Sequence, residues 1–541
     1  MRKQVNPWAA LTALCIGFFM ILLDTTIVSI AIPAMLRGLN AGLNSVVWVI
    51  SVYLLTYAVP MLFTSRLGDR FGPKRVYLAG LVVFTLASLW CGLSGSVETL
   101  IVARAVQGLG AALMTPQTLA FISHLFPPAK RGAAMGLWGG IAGLATIAGP
   151  LLGGVLVQHF GWEWIFIVNV PIGVVALVLA LIFVPDWQPK HSHSFDFIGI
   201  ALSAAGLFCV VFGIQNGQQY DWGRVFGPVN IFEIIGAGVL ILAAFVFWQR
   251  INRREPLVPL EVFGNRNFSA GTLTGTTVGF AMTGMFIPLV IYIQSVIGLT
   301  PTLAGVLTAP MSLLAGIVAP FIGRASDKVN AKYLVMFGLT ALAVGLGIIA
   351  LQATPTTSAW SLIPALLLSG LGIGFIFAPM TNVTMGSVEP RLAGTASGIL
   401  NTSRQVGGVL GAATIGVLLQ ARITASVSNE AVKAAASLPP QYRGQFVDGI
   451  AKASAGASEY STGPASGPAV PGVPADVAAQ IQRLAGGVIH SGLTDAVKVT
   501  MLLPIGVLLL GVVSAAAMKR NAPRAATQPS APTTPEPAAA A

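Results

Sequence analysis

The sequence predicts an all-helical integral membrane protein with fourteen spanning helices. Of its 541 residues, 55% are hydrophobic and only 9% are charged, whereas soluble domains carry about 25% charged residues. Apolar runs of about 20 residues, the length that a helix needs to cross a bilayer, recur along the chain. Because lipid cannot satisfy free backbone groups, segments of this length cross a membrane as closed helices.

The apolar runs place the fourteen helices in order. The first run follows Arg2 and Lys3 and is too long for the core of a signal peptide, so we keep it as a spanning helix. The predicted helices cover residues 8–32, 46–65, 76–94, 98–121, 133–157, 163–184, 197–215, 229–249, 268–293, 302–322, 333–352, 360–383, 394–420 and 497–518.

Basic residues set the predicted orientation. With the N-terminus inside, most lysines and arginines fall in inner segments, and the short outer loops hold only Arg37 and Arg224. The positive-inside rule then places both termini in the cytoplasm. The formal net charge of +12 is therefore a topology signal, and it does not indicate a surface that binds nucleic acid.

The two halves of the chain repeat one pattern. Residues 66–81 align with residues 324–339 at an offset of 258, and the same offset carries Gly149 onto Gly407. Repeated halves with a site between them are typical of transporters. The alternative is a chance similarity between glycine-rich membrane helices.

The repeat divides the chain into six predicted segments. Residues 421–496 are rich in Ala, Ser, Gly and Pro and are predicted to form an outer loop, with an amphipathic helical stretch at 477–489. The composition of residues 521–541 predicts a disordered tail. The segments are a first six-helix half (1–190), two inserted helices (191–262), five helices of the second half (263–420), the outer loop (421–496), the last helix (497–520) and a cytoplasmic tail (521–541).

Asp24 is the one acidic residue in the first apolar run. A carboxylate at this depth costs about 2.5–3.5 kcal/mol on insertion scales, so it normally faces a polar cavity or a partner. We interpret Asp24 as a group that takes up and releases a proton. The rest of the chain would couple this event to the movement of a second compound across the membrane.

Arg104 lies in the fourth predicted helix, before Gln107 and Gly108. Arginine cannot shed its charge, so a buried arginine needs an acidic or carbonyl partner. We expect Arg104 to face the cavity and to influence the proton affinity of an acid such as Asp24. The alternative is that its long side chain extends to the nearby membrane surface.

The connection between the second and third helices contains Gly68, Asp69, Arg70 and Gly72. The two glycines predict a tight turn. We interpret Asp69 as part of a conformational latch at a cytoplasmic gate, because an acid recurs as Asp327 in the second half. The alternative is a turn that only sets the topology.

The fifth predicted helix carries several glycines around a proline. Small residues at four-residue spacing build a flat face on which another helix packs closely, and a proline inside a helix favours a bend. The alternative is an ordinary contact between membrane helices. The residues are Gly143, Gly149, Pro150, Gly153 and Gly154.

Polar side chains inside other apolar runs are candidates for the lining of a substrate cavity, because lipid would reject them. Two tyrosines are aromatic candidates, with lipid contact or helix packing as the alternative. The set is Tyr53, Tyr57, Gln107, Gln117, Gln294, Asn382, Asn401, Arg404 and Gln405.

Taken together, these residues resemble the major facilitator superfamily, in its fourteen-helix drug:proton antiporter branch. The resemblance runs from about residue 8 to 420 and includes the last helix. It departs from the branch at Ser29 and Ser65, where asparagine and glycine are common. The resemblance is carried by residues 23–33, 68–75, 104–108, 149–154, 162–171 and 255–260.

The resemblance implies a rocker-switch exporter of the plasma membrane that expels lipophilic compounds in exchange for protons. Asp24 would carry the proton, Arg104 would assist it, and the glycine-rich helix would limit leak. The tenth predicted helix contains no acid, so we do not expect strong export of dications. The protein would work as a monomer in contact with lipid, driven by the proton gradient without a cofactor.

Two other functions stay open at this point. One is the export of a single endogenous metabolite or lipid, and the other is a membrane sensor or scaffold that transports nothing. An enzyme is not expected, because the sequence shows no metal cluster, phosphate loop or nucleophile elbow. The three cysteines lack the spacing of metal ligands.

Overall fold

The computed structural model describes residues 6–188, 196–252, 256–326, 328–386, 388–389, 392–455 and 475–519. These residues form a bundle in which thirteen helices are long and apolar enough to cross a membrane. The predicted fifth span is also a helix, with a shorter apolar part. Each predicted span therefore corresponds to helix, and the all-helical prediction is confirmed. The predicted acid Asp327 and the tail 521–541 lie outside the described residues.

The first half contains six spans. The first helix begins at Pro7, where a proline costs no hydrogen bond, and the side chain of Asn6 accepts the backbone N–H of Trp8. The sixth span consists of two consecutive helices. The helices are α1 (Pro7–Gly38), α2 (Leu43–Phe71), α3 (Pro73–Gly92), α4 (Val97–Leu125), α5 (Pro128–His159), α6 (Trp164–Ile167) and α7 (Asn169–Phe183).

Two inserted helices follow, α8 (Phe197–Asn216) and α9 (Ile231–Ile251). A short antiparallel hairpin of β1 (Arg224–Phe226) and β2 (Val229–Asn230) connects them. The inserted pair lies beside the first half, where Asn44 Nδ2 donates to Oδ1 of Asn216 at 3.1 Å.

The second half repeats the order of the first. A π-helical turn, Tyr292–Val296, extends its first helix, and short 3₁₀ turns lie at Leu260–Gly264 and Ala359–Leu362. The helices are α10 (Arg266–Ile291), α11 (Pro301–Ala325), α12 (Ala331–Gln352), α13 (Ile363–Gly374), α14 (Phe377–Met385), α15 (Ala393–Ala435), α16 (Pro440–Ala455) and α17 (Ala475–Ala517).

The two halves pack their corresponding helices in the same way. In the first half, α5 packs on α1, and Gly149 faces Thr26. In the second half, α15 packs on α10, and Gly407 faces the backbone of Thr276. We call the membrane side at which α1 begins and α17 ends the terminus side, and the opposite side the far side.

Two helices extend well beyond the membrane on the far side. Both α15 and α17 have 43 residues, about 64 Å at 1.5 Å per residue, against a hydrocarbon core of about 30 Å. Phe446 and Ile450 of α16 are buried with residues of both extensions. The predicted helix ends at 420 and 497 are therefore wrong, because alanine-rich sequence continues the helices and a small apolar core stabilises them.

Asp196 joins the two inserted helices at their terminus-side ends. Its carboxylate accepts hydrogen bonds from the Gly199 backbone N–H at 2.9 Å, Trp248 Nε1 at 2.8 Å and Gln249 Nε2 at 2.8 Å. Burial raises the pKa of this carboxyl, but the hydrogen bonds outweigh burial and hold the pKa below its ordinary value. Folding therefore favours the charged form.

We expect Asp196→Ala to lower the stability of the protein by about 1–3 kcal/mol, because it removes the N-cap of α8 and two bonds to α9. Asp196→Asn keeps an acceptor for the Gly199 N–H and should lose less. The measurement is the thermal midpoint of purified protein in detergent at neutral pH. Equal midpoints for wild type and the alanine variant would contradict this role.

The pH dependence of this contribution follows from the lowered pKa. The Asp196 carboxylate stabilises the fold in full above its unfolded pKa of about 3.9. The contribution is lost only as the pH falls through the lower pKa of the folded state. Neutral pH therefore tests the whole effect.

Candidate functional site

An ion pair between α1 and α4 forms the centre of the candidate site. Asp24 lies near the middle of α1 and is 0% exposed, and Arg104 of α4 is 1% exposed. Arg104 Nη1 lies 2.5 Å from Asp24 Oδ2. The structure thus brings together the two predicted charges. The alternative in which Arg104 extends to the membrane surface is wrong, because its side chain is buried against Asp24.

The second carboxylate oxygen of Asp24 accepts two amide hydrogen bonds. Gln107 Nε2 donates to Oδ1 at 2.9 Å, and Asn169 Nδ2 donates to the same atom at 3.2 Å. Both amides also lie 3.0 Å from Oγ of Ser88, which in turn donates to the Phe166 carbonyl at 2.9 Å. Helices α3, α4 and α7 therefore fix the carboxylate of α1 in one orientation.

The Arg104 guanidinium is enclosed on its other sides. Its Nε donates to the carbonyl of Val49 at 3.1 Å, and its Nη1 lies 2.6 Å from Oε1 of Gln107. The ring of Tyr53 packs against it, with 4.0 Å between Cζ and the ring centroid. Tyr53, a predicted cavity residue, therefore contacts the charged pair through a cation–π interaction.

Asp24 is the acidic side chain of this hydrogen-bonded cluster. Serine, asparagine and glutamine do not titrate, and arginine keeps its charge. The thiol of Cys91, 3.6 Å from Gln107 Oε1, is intrinsically a much weaker acid than a carboxyl group. The sequence analysis assigns no role to two members of the cluster, Ser88 and Asn169. An asparagine inside an apolar run indicates a buried polar site, because lipid would reject its amide. A serine in a membrane helix gives no such indication, since it commonly bonds its own backbone.

The glycine-rich helix α5 presents one face to α1 and another to α11. A Cβ atom on Gly149 would overlap Thr26 Oγ1, and one on Gly153 would overlap the side chain of Ile27. On the other face, a Cβ atom on Gly154 would overlap the carbonyl oxygen of Pro301. Glycine at these positions permits contacts that no other residue allows.

The same face of α5 continues the contact with α11. Gly143 lies opposite Gly316, and the carbonyl of Pro150 lies against Gly305. Since α11 belongs to the second half, α5 connects the helix that carries Asp24 with the interface between the halves.

The halves meet through several contacts on the far side. These contacts link α1, α2 and α5 to the second half, and they close the far side in the conformation described. They are the bond from Gln294 Nε2 to the Ile30 carbonyl (2.9 Å), the bond from Thr302 Oγ1 to the Gly154 carbonyl (3.1 Å) and the packing of Gly416 on Val47.

The predicted cavity residues do not form one cluster. Gln107 belongs to the Asp24 site, and Gln294 is one of the far-side contacts. Gln117 Nε2 donates to the Thr64 carbonyl at 2.8 Å and so joins α4 to α2. Tyr57 is buried, and its hydroxyl lies 2.9 Å from Thr115 Oγ1.

The candidate cavity residues of the second half do not form one cluster either. Asn382 Nδ2 lies 2.5 Å from Ser326 Oγ near the terminus side. Asn401 donates to the Ser397 carbonyl of its own helix at 3.0 Å. Arg404 and Gln405 are half-buried in the middle of the membrane part of α15.

The predicted gate turn is made by one glycine. Helix α2 continues to Phe71, so Gly68 lies inside the helix, where a Cβ atom would overlap Oε1 of Gln117. The prediction that Gly68 forms the turn is wrong, and Gly72, with φ of 93°, makes the turn. Asp69 is half-buried and Arg70 is exposed at the terminus side.

A comparison of the sequence with known families identifies the fold. The profile of the Major Facilitator Superfamily matches residues 14–412. The chain belongs to the major facilitator superfamily. It is a multi-pass membrane transporter of this superfamily, built from two related halves with two helices inserted between them.

Relatives with curated names include exporters of antibiotics. The chain is 47% identical over 422 residues to an uncharacterized MFS-type transporter of Mycobacterium tuberculosis, covering 78% of this chain and 72% of that protein. It is 36% identical over 423 residues to the tetracenomycin C resistance and export protein of Streptomyces glaucescens, covering 77% of each. It is also 30% identical over 410 residues to a riboflavin transporter of Clostridioides difficile, covering 75% of this chain and 87% of that protein.

A solved structure shares the fold. It is a bacterial homolog of the human lysosomal transporter Spinster in an inward-facing, unoccupied conformation. The TM-score is 0.58 at 16% sequence identity, covering 96% of this chain and 100% of that chain.

We expect Gly154→Ala to open the far side of this transporter, because the added methyl group overlaps α11 only when the halves meet there. The measurement is the reaction of a membrane-impermeant maleimide with a cysteine in place of Val47, which is buried beside Gly416. Labelling of this cysteine should be several-fold greater in the Gly154→Ala variant than in the protein that keeps Gly154. The protein without the Val47 replacement controls for its native cysteines.

Gly80→Ala is the matched control for this experiment. Its methyl group overlaps Leu113 and Gly110 of α4 within the first half, away from α5 and α11, so it should leave the far side closed. Equal labelling of the Gly154→Ala and Gly80→Ala variants would contradict the assignment of Gly154 to the interface between the halves.

Proposed function

We propose that this transporter exports lipophilic and amphipathic compounds across the cell membrane in exchange for protons, with both termini in the cytoplasm. The observation that carries the proposal is the fully buried ion pair of Asp24 and Arg104. The names of relatives that confer antibiotic resistance support the class of exported compound. The terminus side is then the cytoplasmic side.

The site links the protonation of Asp24 to the conformation of the transporter. In the far-side-closed conformation, Arg104 and two amide donors stabilise the ionised carboxylate. A proton on Asp24 would leave Arg104 buried without its counter-charge, and loss of one partner of a buried pair costs about 3–5 kcal/mol. In the proposed cycle, the proton leaves Asp24 in this conformation, on the side to which the transporter is then open.

Helix α5 transmits this change to the interface between the halves. Thr26 and Ile27 follow Asp24 within one helical turn, and both pack on glycines of α5. The opposite face of α5 packs on α11 through Gly154. A shift of α1 near Asp24 therefore displaces the helix that closes the far side, because close-packed helices move together.

The proton gradient supplies the driving force in this scheme. Asp24 takes up a proton when the far side is open and releases it when the far side is closed. One proton per cycle contributes roughly 2.3 kcal/mol per 100 mV through its charge alone.

We expect Asp24→Asn to abolish proton-driven export, with a loss of at least about tenfold, while substrate exchange without a gradient persists. Asparagine keeps the shape of the side chain but cannot carry the proton. The measurement is the efflux of several dyes and antibiotics with and without a proton ionophore. Glu98→Gln, at the exposed first turn of α4, is the matched control and should export normally. Unchanged, ionophore-sensitive export by Asp24→Asn would refute the assignment.

A second candidate function is the export of one endogenous metabolite. The relative named as a riboflavin transporter favours it. The same efflux panel separates the two candidates, because a multidrug exporter moves several chemically unrelated compounds. Export of a single compound would support the dedicated exporter.

A further inference from the structure

We propose that Arg404 makes this exporter select planar aromatic compounds that carry a negative charge. The inference rests on the proposed export function and names the substrate class of the same transporter. It follows from the surroundings of one guanidinium in the middle of α15.

Arg404 lies where the two halves face each other. One turn further along α15, Gly408 lies close to Leu54 of α2, so this face of the helix is directed at the first half. The Arg404 guanidinium lies over the ring of Phe377, with 5.4 Å between Cζ and the ring centroid. Tyr57 of α2 is within electrostatic reach of it.

The charge of Arg404 has no counter-charge in the described part of the chain. Within residues 6–519, outside the undescribed gaps, Arg404 forms no ion pair and donates no hydrogen bond; its guanidinium lies over the ring of Phe377 and is within electrostatic reach of Tyr57. A guanidinium has five donors and stays charged. It therefore presents an unused set of donors between the halves.

No described carboxylate is placed to compensate this charge. Asp24, the acid in the middle of α1, already pairs with Arg104. The other described acids lie near helix ends, in connections or in the far-side extensions of α15–α17. An uncompensated charge in the middle of a membrane protein is costly and normally marks a ligand or ion pathway. A bound anionic compound would compensate this charge.

The neighbours of Arg404 define the shape of that compound. A guanidinium binds a planar carboxylate through paired hydrogen bonds, and it can donate to the single oxygen of a phenolate. Phe377 and Tyr57 add aromatic faces, and the bond of the Tyr57 hydroxyl to Thr115 holds that ring in place. Gln405, half-buried and without a hydrogen bond to any described residue, supplies an adaptable amide beside the charge. The site thus fits a flat aromatic anion.

A charged substrate also changes the electrical balance of the cycle. When one proton enters and one monovalent anion leaves, both movements carry positive charge inward. Export of an anion should therefore accelerate under an inside-negative membrane potential.

The test compares two xanthene dyes with one ring system and opposite charge, fluorescein as the anion and rhodamine 6G as the cation. Binding to the full chain in detergent is followed by fluorescence anisotropy, and transport is followed in proteoliposomes with a pH gradient. We expect wild type to bind fluorescein more tightly than rhodamine 6G. Export of fluorescein should increase when an inside-negative potential is imposed.

Three variants isolate the contribution of Arg404. Arg404→Gln should weaken fluorescein binding at least tenfold and leave rhodamine 6G binding unchanged or stronger, which also shows that the variant is folded. Arg404→Lys keeps the charge without the planar donors and should bind fluorescein with intermediate affinity. Arg422→Gln, on the exposed surface of the same helix, is the matched control and should behave as wild type.

Two results would overturn the inference. One is fluorescein binding by Arg404→Gln that equals wild type, and the other is tighter binding of rhodamine 6G than of fluorescein by wild type. The second comparison needs no variant, so it decides the question even if Arg404→Gln does not fold. If Arg404-dependent binding of fluorescein occurs but a pH gradient drives no export, the substrate class stands and the proposed export function fails.

Discussion

The structure depends on one buried ion pair. Asp24 and Arg104 come from different helices, and each would be costly to bury alone. Their contact therefore fixes how α1 lies against α4, and the amides of Gln107 and Asn169 extend the constraint to α7. The closely packed glycines of α5 lie directly beside this part of α1. In the proposed mechanism, a change of charge at Asp24 acts on the helix that also forms the interface between the halves.

The repeated halves differ in the charges that they hold. At the repeat offset of 258, Asp24 corresponds to Met282 in α10, so the acid belongs to the first half alone. The second half instead contributes Arg404, which has no ion pair with any described residue. Along α2, the rings of Tyr53 and Tyr57 lie 6.0 Å apart; the Tyr53 ring packs on Arg104, and Tyr57 is within electrostatic reach of Arg404. The proposed proton site and the proposed substrate site are therefore neighbours along one helix.

Hydropathy alone was sufficient to place the spanning helices, because lipid permits few alternatives over such lengths. Asp24 and Arg104 were also predictable as partners, since an isolated charge in an apolar run requires one. The far-side extension of α15 was not predictable, because the alanine-rich sequence after residue 420 resembles a polar loop in composition. This segment is helical because its apolar side chains form a small core with α16. The amphipathic pattern at 477–489 does predict part of the extension of α17, which begins at Ala475.

The partners of the other polar residues were beyond a reading of the sequence. A glutamine in an apolar run indicates that a partner exists, but it does not indicate which helix supplies it. The sequence predicts Gln117 and Gln294 in a cavity, yet each bonds a backbone carbonyl of a neighbouring helix. Because glycine often forms turns, the sequence also predicts a turn at Gly68, whereas in the structure Gly68 provides space for Gln117.

Proton release on substrate binding tests the central role of Asp24 most directly. Purified protein in weakly buffered detergent is mixed with an exported compound, and a pH indicator reports the protons released. The account predicts that wild type releases a measurable amount, up to one proton per bound compound, and that Asp24→Asn, which still binds the compound, releases none. Equal proton release by the two proteins would contradict it.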